Sequence, residues 1–206
     1  MIFASEIADS SSYARVREQR LRALAEHKAA RRVELGQYIS LLFESRETVL
    51  GQIQEVVHVE AKRDAAQIRG EIDEYLCLLP KPGLLTATLM VHAGGAAIGA
   101  AIGSELFARL GVVTLEIGPW ECPCHSLSPT DPGLASAVHY IGFSVPDPAV
   151  VALRRGVSAR LRLRSSVERV SLPIAAPLRA VLIDTLSLDP ASDRITAPAG
   201  SVAASH

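Results

Sequence analysis

The chain has 206 residues, of which 49% are hydrophobic and 21% charged, with a formal net charge of −1. This is the balance of a folded globular protein, which excludes wholesale disorder. The near-neutral charge also excludes a strong general attraction to nucleic acid or to an anionic membrane surface.

The N-terminus lacks the basic start and the apolar run of a signal peptide, so a cytoplasmic location is expected. The longest apolar stretch, 96–110, is broken by Gly99, Gly103, Ser104, Glu105 and Arg109. It is shorter than the roughly 20 residues that span a bilayer, and it reads as a buried helix. Three cysteines do not make a disulfide framework and leave thiol chemistry or metal binding open.

Along the chain, Ser10 to Ser12 can cap a helix over 13–30. Gly36 marks a break. From Gln37 on, Leu42, Val49, Leu50, Ile53, Val56 and Val57 recur at three- and four-residue steps, which predicts a second helix ending near Glu60. The opposite face carries Glu44, Glu47, Thr48, Glu55 and His58. A third helix is expected over 61–79, closed by Pro80, Pro82 and Gly83, and this is the main internal boundary. Strands are then expected at 85–92, 112–117, 135–145 and 157–164, with helices at 95–110, 148–155 and 173–186.

The expected fold class is therefore α+β. N-terminal helices (1–80) pack on a small antiparallel sheet of ferredoxin-like β-α-β-β-α-β order with a C-terminal helix (81–189), and a disordered tail (190–206) follows.

The stretches RRVELG (31–36), LLFESRETVLGQIQEV (41–56), EIDEYLCLLP (71–80), TATLMV (86–91) and SAVHYIGF (136–143) resemble an uncharacterised bacterial domain-of-unknown-function family. The likeness runs over about 31–186. Members of that family are typically encoded beside rubrerythrin-like proteins and iron-sulfur oxidoreductases. The resemblance thus implies a redox-linked setting and carries no catalytic residue with it. The best-matching polar positions are Glu44, Arg46, Thr48, Gln52 and Glu55. The chain departs from the pattern after Val91, with His92 in place of an acidic residue and a Gly/Ala-rich helix in place of an Arg-rich one.

Cys122-Pro-Cys124-His125 supplies soft ligands suited to zinc or iron, with Cys77 or His92 available as a fourth if the chain folds back. The bland alternative is a Pro-rich loop with two thiols. Glu55 and His58 have the Glu-x-x-His spacing of di-iron bundles, but no second copy exists, and a solvated helix face explains them better.

Arg46 falls by helical angle within the apolar stripe, where a cation requires a partner, and Glu71 or Asp73 is the expected one. Arg160, Arg162 and Arg164 project from one face of the last strand. They are expected to meet the acidic face of the second helix and to leave a cleft between helices and sheet as the ligand site. Too few aromatics accompany them for RNA recognition. Gly94, Gly95 and Gly99 lie between a strand and a helix, and they fit close helix packing better than a phosphate loop.

Three functional readings follow. The first is an accessory or interaction subunit of a redox-linked pathway, binding a protein partner or a small anionic ligand. The second is a metal-dependent enzyme built on Cys122, Cys124 and His125. The third is a regulatory small-molecule-binding module, by fold analogy.

Overall fold

In the computed structural model, the residues described are 1–92, 96–108, 111–127, 137–166 and 168–187. The tail expected at 190–206 and the glycines at 94 and 95 lie outside them.

Helix α1 (Ser10–Ala29) starts where Asp9 accepts the backbone N–H groups of Ser11 and Ser12. The N-cap is thus one residue before the serines that the sequence suggests. A short strand β1 (Arg32–Glu34) follows and turns at Gly36 into β2 (Ile39–Phe43). Gly36 has φ +93°, and a Cβ there would lie on the carboxylate of Glu168. Glycine is therefore required both by backbone and by space.

Residues 37–43, expected to open the second helix, are instead the end of the β1–β2 turn and strand β2. All five residues of β2 are buried, because the strand is covered on both faces. No polar alternation marks it, and an apolar run of this kind is open to either reading. Helix α2 (Arg46–Val59) begins at a capping box. Ser45 accepts the Thr48 N–H, and the Thr48 hydroxyl accepts the Ser45 N–H at 2.8 Å. Helix α3 (Ala65–Tyr75) is capped by Asp64 and runs into a 3-10 turn at Leu76–Leu78, so it is shorter than the expected 61–79.

The remaining elements are β3 (Leu84–Val91), α4 (Ala96–Phe107), β4 (Val113–Ile117), β5 (Trp120–Ser126), β6 (Val138–Ser144), α5 (Asp147–Arg154), β7 (Ala159–Arg164), β8 (Arg169–Pro173) and α6 (Ala176–Leu186). The eight strands form one antiparallel sheet in the order β1-β2-β3-β6-β5-β4-β7-β8.

The ferredoxin-like arrangement is thereby overturned. That motif would pair the last of its four strands with the first. Here β7 pairs with β4, and β5, expected as a loop, lies between β4 and β6. The N-terminal segment is not purely helical either, since β1 and β2 extend the sheet from β3. The sheet curls until its ends meet: the Gln37 N–H, in the β1–β2 turn, donates to Glu168 in the β7–β8 turn at 3.0 Å.

One face of the curl holds the main core. Leu41, Phe43, Leu85, Leu89, Ile141, Phe143, Leu115 and Leu161 are buried there against Ile102 of α4, Leu153 of α5 and Leu182 of α6. A second cluster gathers Ile2, Val49, Ile53, Val57, Ile72 and Leu78 from the N-terminal helices, with Tyr140 of β6 packed against it. Alternation along β6 puts Tyr140 on the face opposite Ile141 and Phe143. The two clusters therefore sit on opposite faces of the sheet. No helix among the described residues is long and apolar enough to cross a membrane.

Candidate functional site

Between α2 and the outer face of β2, β3 and β6 lies a cleft of about 240 Å³. That volume equals roughly eight waters at their liquid share of about 30 Å³ each. Its floor is built by the strand period: Leu42 on β2, Thr88 and Met90 on β3, and Val138 and Tyr140 on β6 share the face away from the main core. Thr88 is opposite both Leu42 and Tyr140 in the two registers. Thr48, Val49 and Gln52 of α2 form one wall, and Tyr75 and Leu78 another. Lys28 and Arg32 complete the lining.

Glu44 occupies the link between β2 and α2 and is only 5% exposed. Its backbone N–H donates to the Thr86 carbonyl at 2.8 Å, which continues the β2–β3 ladder and fixes the residue over the cleft. Thr88 donates its hydroxyl to Glu44 Oε1 at 2.6 Å, and Thr48 donates to Oε2. Burial pushes the Glu44 carboxyl above the usual carboxylate range, against the opposing pull of the two hydroxyls and of the Lys28 and Arg31 charges. Arg31 is itself buried and directs Nη1 to the Glu44 carbonyl and the Thr185 hydroxyl, not to the carboxylate. Beside the cleft, burial first and then Tyr75 hold the Tyr140 phenol well above its ordinary value, and the two rings lie 6.2 Å apart.

Of the residues singled out in the sequence, Glu44, Thr48 and Gln52 meet in this cleft. Arg46 and Glu55 do not. Arg46 is the first residue of α2 and pairs with Glu6, the two side chains 36% and 30% exposed. It is not buried among the stripe, because the helix starts only at this residue. Glu71, its expected partner, instead pairs with Lys62.

Glu55 is held by Arg17 through two hydrogen bonds of 3.0 and 2.8 Å and by the Tyr13 hydroxyl at 2.6 Å. The hydrogen bond from Arg17 keeps its carboxyl below the usual range. His58 Nδ1 lies 2.8 Å from the Ser10 hydroxyl. The Glu55–His58 face, expected in solvent, thus packs on α1.

Arg160 and Arg162 are on β7, four strands from β3 in the sheet order. That is a path of roughly 19 Å at about 4.8 Å per strand. Arg162 pairs with Glu116 on the adjacent β4 and Glu121 on β5 beyond it, so these arginines take no part in the cleft.

Cys122, Cys124 and His125 do not converge. On β5 the two cysteines point into the main core, while His125 projects from the opposite face, across Gly142. Burial raises both thiols, Cys124 to about 11, which disfavours the thiolate that a metal needs. Among the described residues no group of three or more His, Cys, Asp and Glu side chains is placed to hold a metal ion.

Sequence reasoning missed Lys28, Arg32 and Tyr75 as cleft residues. For Lys28 and Arg32 no signal existed without the fold.

A crystal structure of a novel protein of unknown function from Burkholderia pseudomallei K96243 has the same fold. It aligns with a TM-score of 0.79 and 26% sequence identity, over 90% of this chain and 99% of that one. Comparison with curated proteins finds no match. The model of the DUF3501 family, described as proteins of unknown function, matches residues 1–186, and the chain belongs to that family.

Proposed function

We propose that this protein is a small-ligand-binding protein, an accessory component whose cleft between the helices and the sheet takes a small polar molecule with an anionic group. The observation that carries the reading is Glu44, a buried carboxyl lining an open cleft, whose hydrogen bonds among the described residues come from two neutral hydroxyls. Desolvating a carboxyl is costly, and a fold that needed only packing there would be served by an apolar residue. Lys28 and Arg32, on the same cleft, supply the positive charge for an anion.

The likeness seen in the sequence adds the setting, a redox-linked pathway in which the loaded protein meets a partner.

The test is a thermal-shift screen of small organic acids and phosphates against the wild type, Glu44→Gln and Arg32→Gln. Stabilisation of the wild type that Arg32→Gln weakens, or that Glu44→Gln alters, supports the cleft. Stabilisation that neither substitution changes overturns it.

A further inference from the structure

The cleft is lined by groups of both charge signs, and this narrows the ligand. It holds Glu44, to which no Lys, Arg or His is paired among the described residues. The nearby cation Arg31 spends its guanidinium on a carbonyl and a hydroxyl. Tyr75 and Tyr140 lie in the same cleft and offer ring faces of the kind that favour a cation. Lys28, whose charge already acts on Glu44 without forming an ion pair, and the exposed Arg32 line the same cleft.

The register gives the separation. Arg32 is opposite Leu42, and Glu44 is two residues beyond Leu42. This sets the two positions about 7 Å apart along the strands and about 5 Å across them.

We infer that the ligand is a zwitterion, with a primary or secondary ammonium at the Glu44 carboxylate and a carboxylate or similar anion at Lys28 and Arg32. The inference rests on the cleft being a ligand site. A bound ammonium would give Glu44 a directly paired cation, which no described residue supplies, so that an ionised pair forms where a lone carboxylate is costly. Leu42, Val49, Leu78 and Met90 in the lining suit a short apolar linker.

The experiment is calorimetric titration of the full chain with ω-amino acids of about three to six carbons, a series that brackets the separation at ordinary bond lengths. Each is compared with the same acid lacking the amine and the same amine lacking the acid. The expected result is binding of at least one amino acid about tenfold or more tighter than either single-charge analogue, since losing a buried charge partner costs at least about 1.4 kcal/mol. Glu44→Gln should remove the preference over the plain acid. Arg32→Gln, at an exposed position that folding does not need, should remove the preference over the plain amine.

Plain acids that bind as well as the amino acids, with Glu44→Gln unchanged in that respect, would overturn the zwitterion and leave the anion cleft standing. If no acid, amine or amino acid binds, and no anion in the thermal-shift screen does either, both readings fall together.

Discussion

Thr88 on β3 donates its hydroxyl to Glu44 Oε1 across 2.6 Å, joining the middle of the sheet to the start of α2. The bond is the main contact by which the outer sheet face orients the cleft carboxyl from below, while Thr48 holds the other oxygen from the helix. Thr88→Val keeps the shape and removes the donor, leaving Oε1 unsatisfied. The expected loss is about 1 to 3 kcal/mol in equilibrium denaturation, with a carboxyl that protonates more readily still. A variant as stable as the wild type would mean that water replaces the hydroxyl and that the cleft floor is wet.

Arg46 carries a prediction of the opposite size. Its Nη2 donates to the Met1 carbonyl at 3.1 Å and pairs with Glu6, and both charged side chains are about one-third exposed. Arg46→Met should therefore cost less than about 1 kcal/mol near neutral pH, because solvent screens the pair and hydrates the Glu6 left behind. Partial burial raises the Glu6 carboxyl, but the hydrogen bonds from Arg46 and the Phe3 N–H, with the charges of Arg46 and the N-terminus, together outweigh it and the net direction is down. A carboxyl lowered in the folded state contributes above its unfolded pKa and loses that contribution as pH falls through the folded value. The difference between the two proteins should thus shrink in acid. A cost near 3 kcal/mol, urea denaturation being the measure, would place the pair in a dry interior instead.

The contrast between these residues shows what the sequence could and could not disclose. Strands β3, β4, β6 and β7 and helices α1, α5 and α6 carry period or caps that local physics reads directly. Glu44, Thr48 and Gln52 stood out before the fold was known, and they line one cleft. The residues 39–43 misled because a strand covered on both faces shows no alternation, and the helical stripe seemed to continue backward through Leu42. Strand β5 was hidden by Pro123, which argues against an interior strand, and by two cysteines that draw the eye as ligands although a buried cysteine behaves as a small hydrophobe. Strand β8 is short, with Arg169, Ser171 and Pro173 exposed, and only its pairing with β7 reveals it. Arg32 reaches the cleft through the β1–β2 pairing and Lys28 from the last turn of α1, long-range facts absent from any local window.

The core-facing placement of Cys122 and Cys124 predicts the order of thiol labelling. Cys77 is partly exposed, whereas the other two are buried, and the Cys124 sulfur also accepts the Val113 N–H at 3.4 Å. Burial raises all three thiols, so alkylation near neutral pH should be slow at Cys77 and negligible at Cys122 and Cys124 until denaturant is added. Mass spectrometry of iodoacetamide-treated native protein reads this directly. Rapid modification of Cys122 in the folded chain would show β5 to be detached from the sheet and would reopen the Cys122, Cys124 and His125 constellation.

Glu44 gives the pH dependence that bears most on function. Burial holds its folded-state carboxyl above the unfolded value, which is about 4.3 for glutamate. In the window between those two values the folded protein keeps a proton that the unfolded chain has released. Stability contributed at this site is therefore full below the unfolded pKa and is lost as pH rises through the folded one. Glu44→Gln removes the titration while keeping the shape and two hydrogen-bonding atoms. The groups acting on Glu44 are the Thr48 and Thr88 hydroxyls, which do not titrate, and the Lys28 and Arg31 charges, all of which oppose the effect of burial. Other carboxylates respond alike in the two proteins and cancel in the difference. The stability of Glu44→Gln relative to wild type should accordingly rise from about pH 4 upward and then level off, as read by urea denaturation at a series of pH values. A flat difference would mean an unshifted carboxyl, and a falling one would mean that a cation already sits beside it. A saturating ligand that places an ammonium there supplies that cation, so in its presence the rise should vanish for the wild type. The same amine-free acid should leave the rise intact.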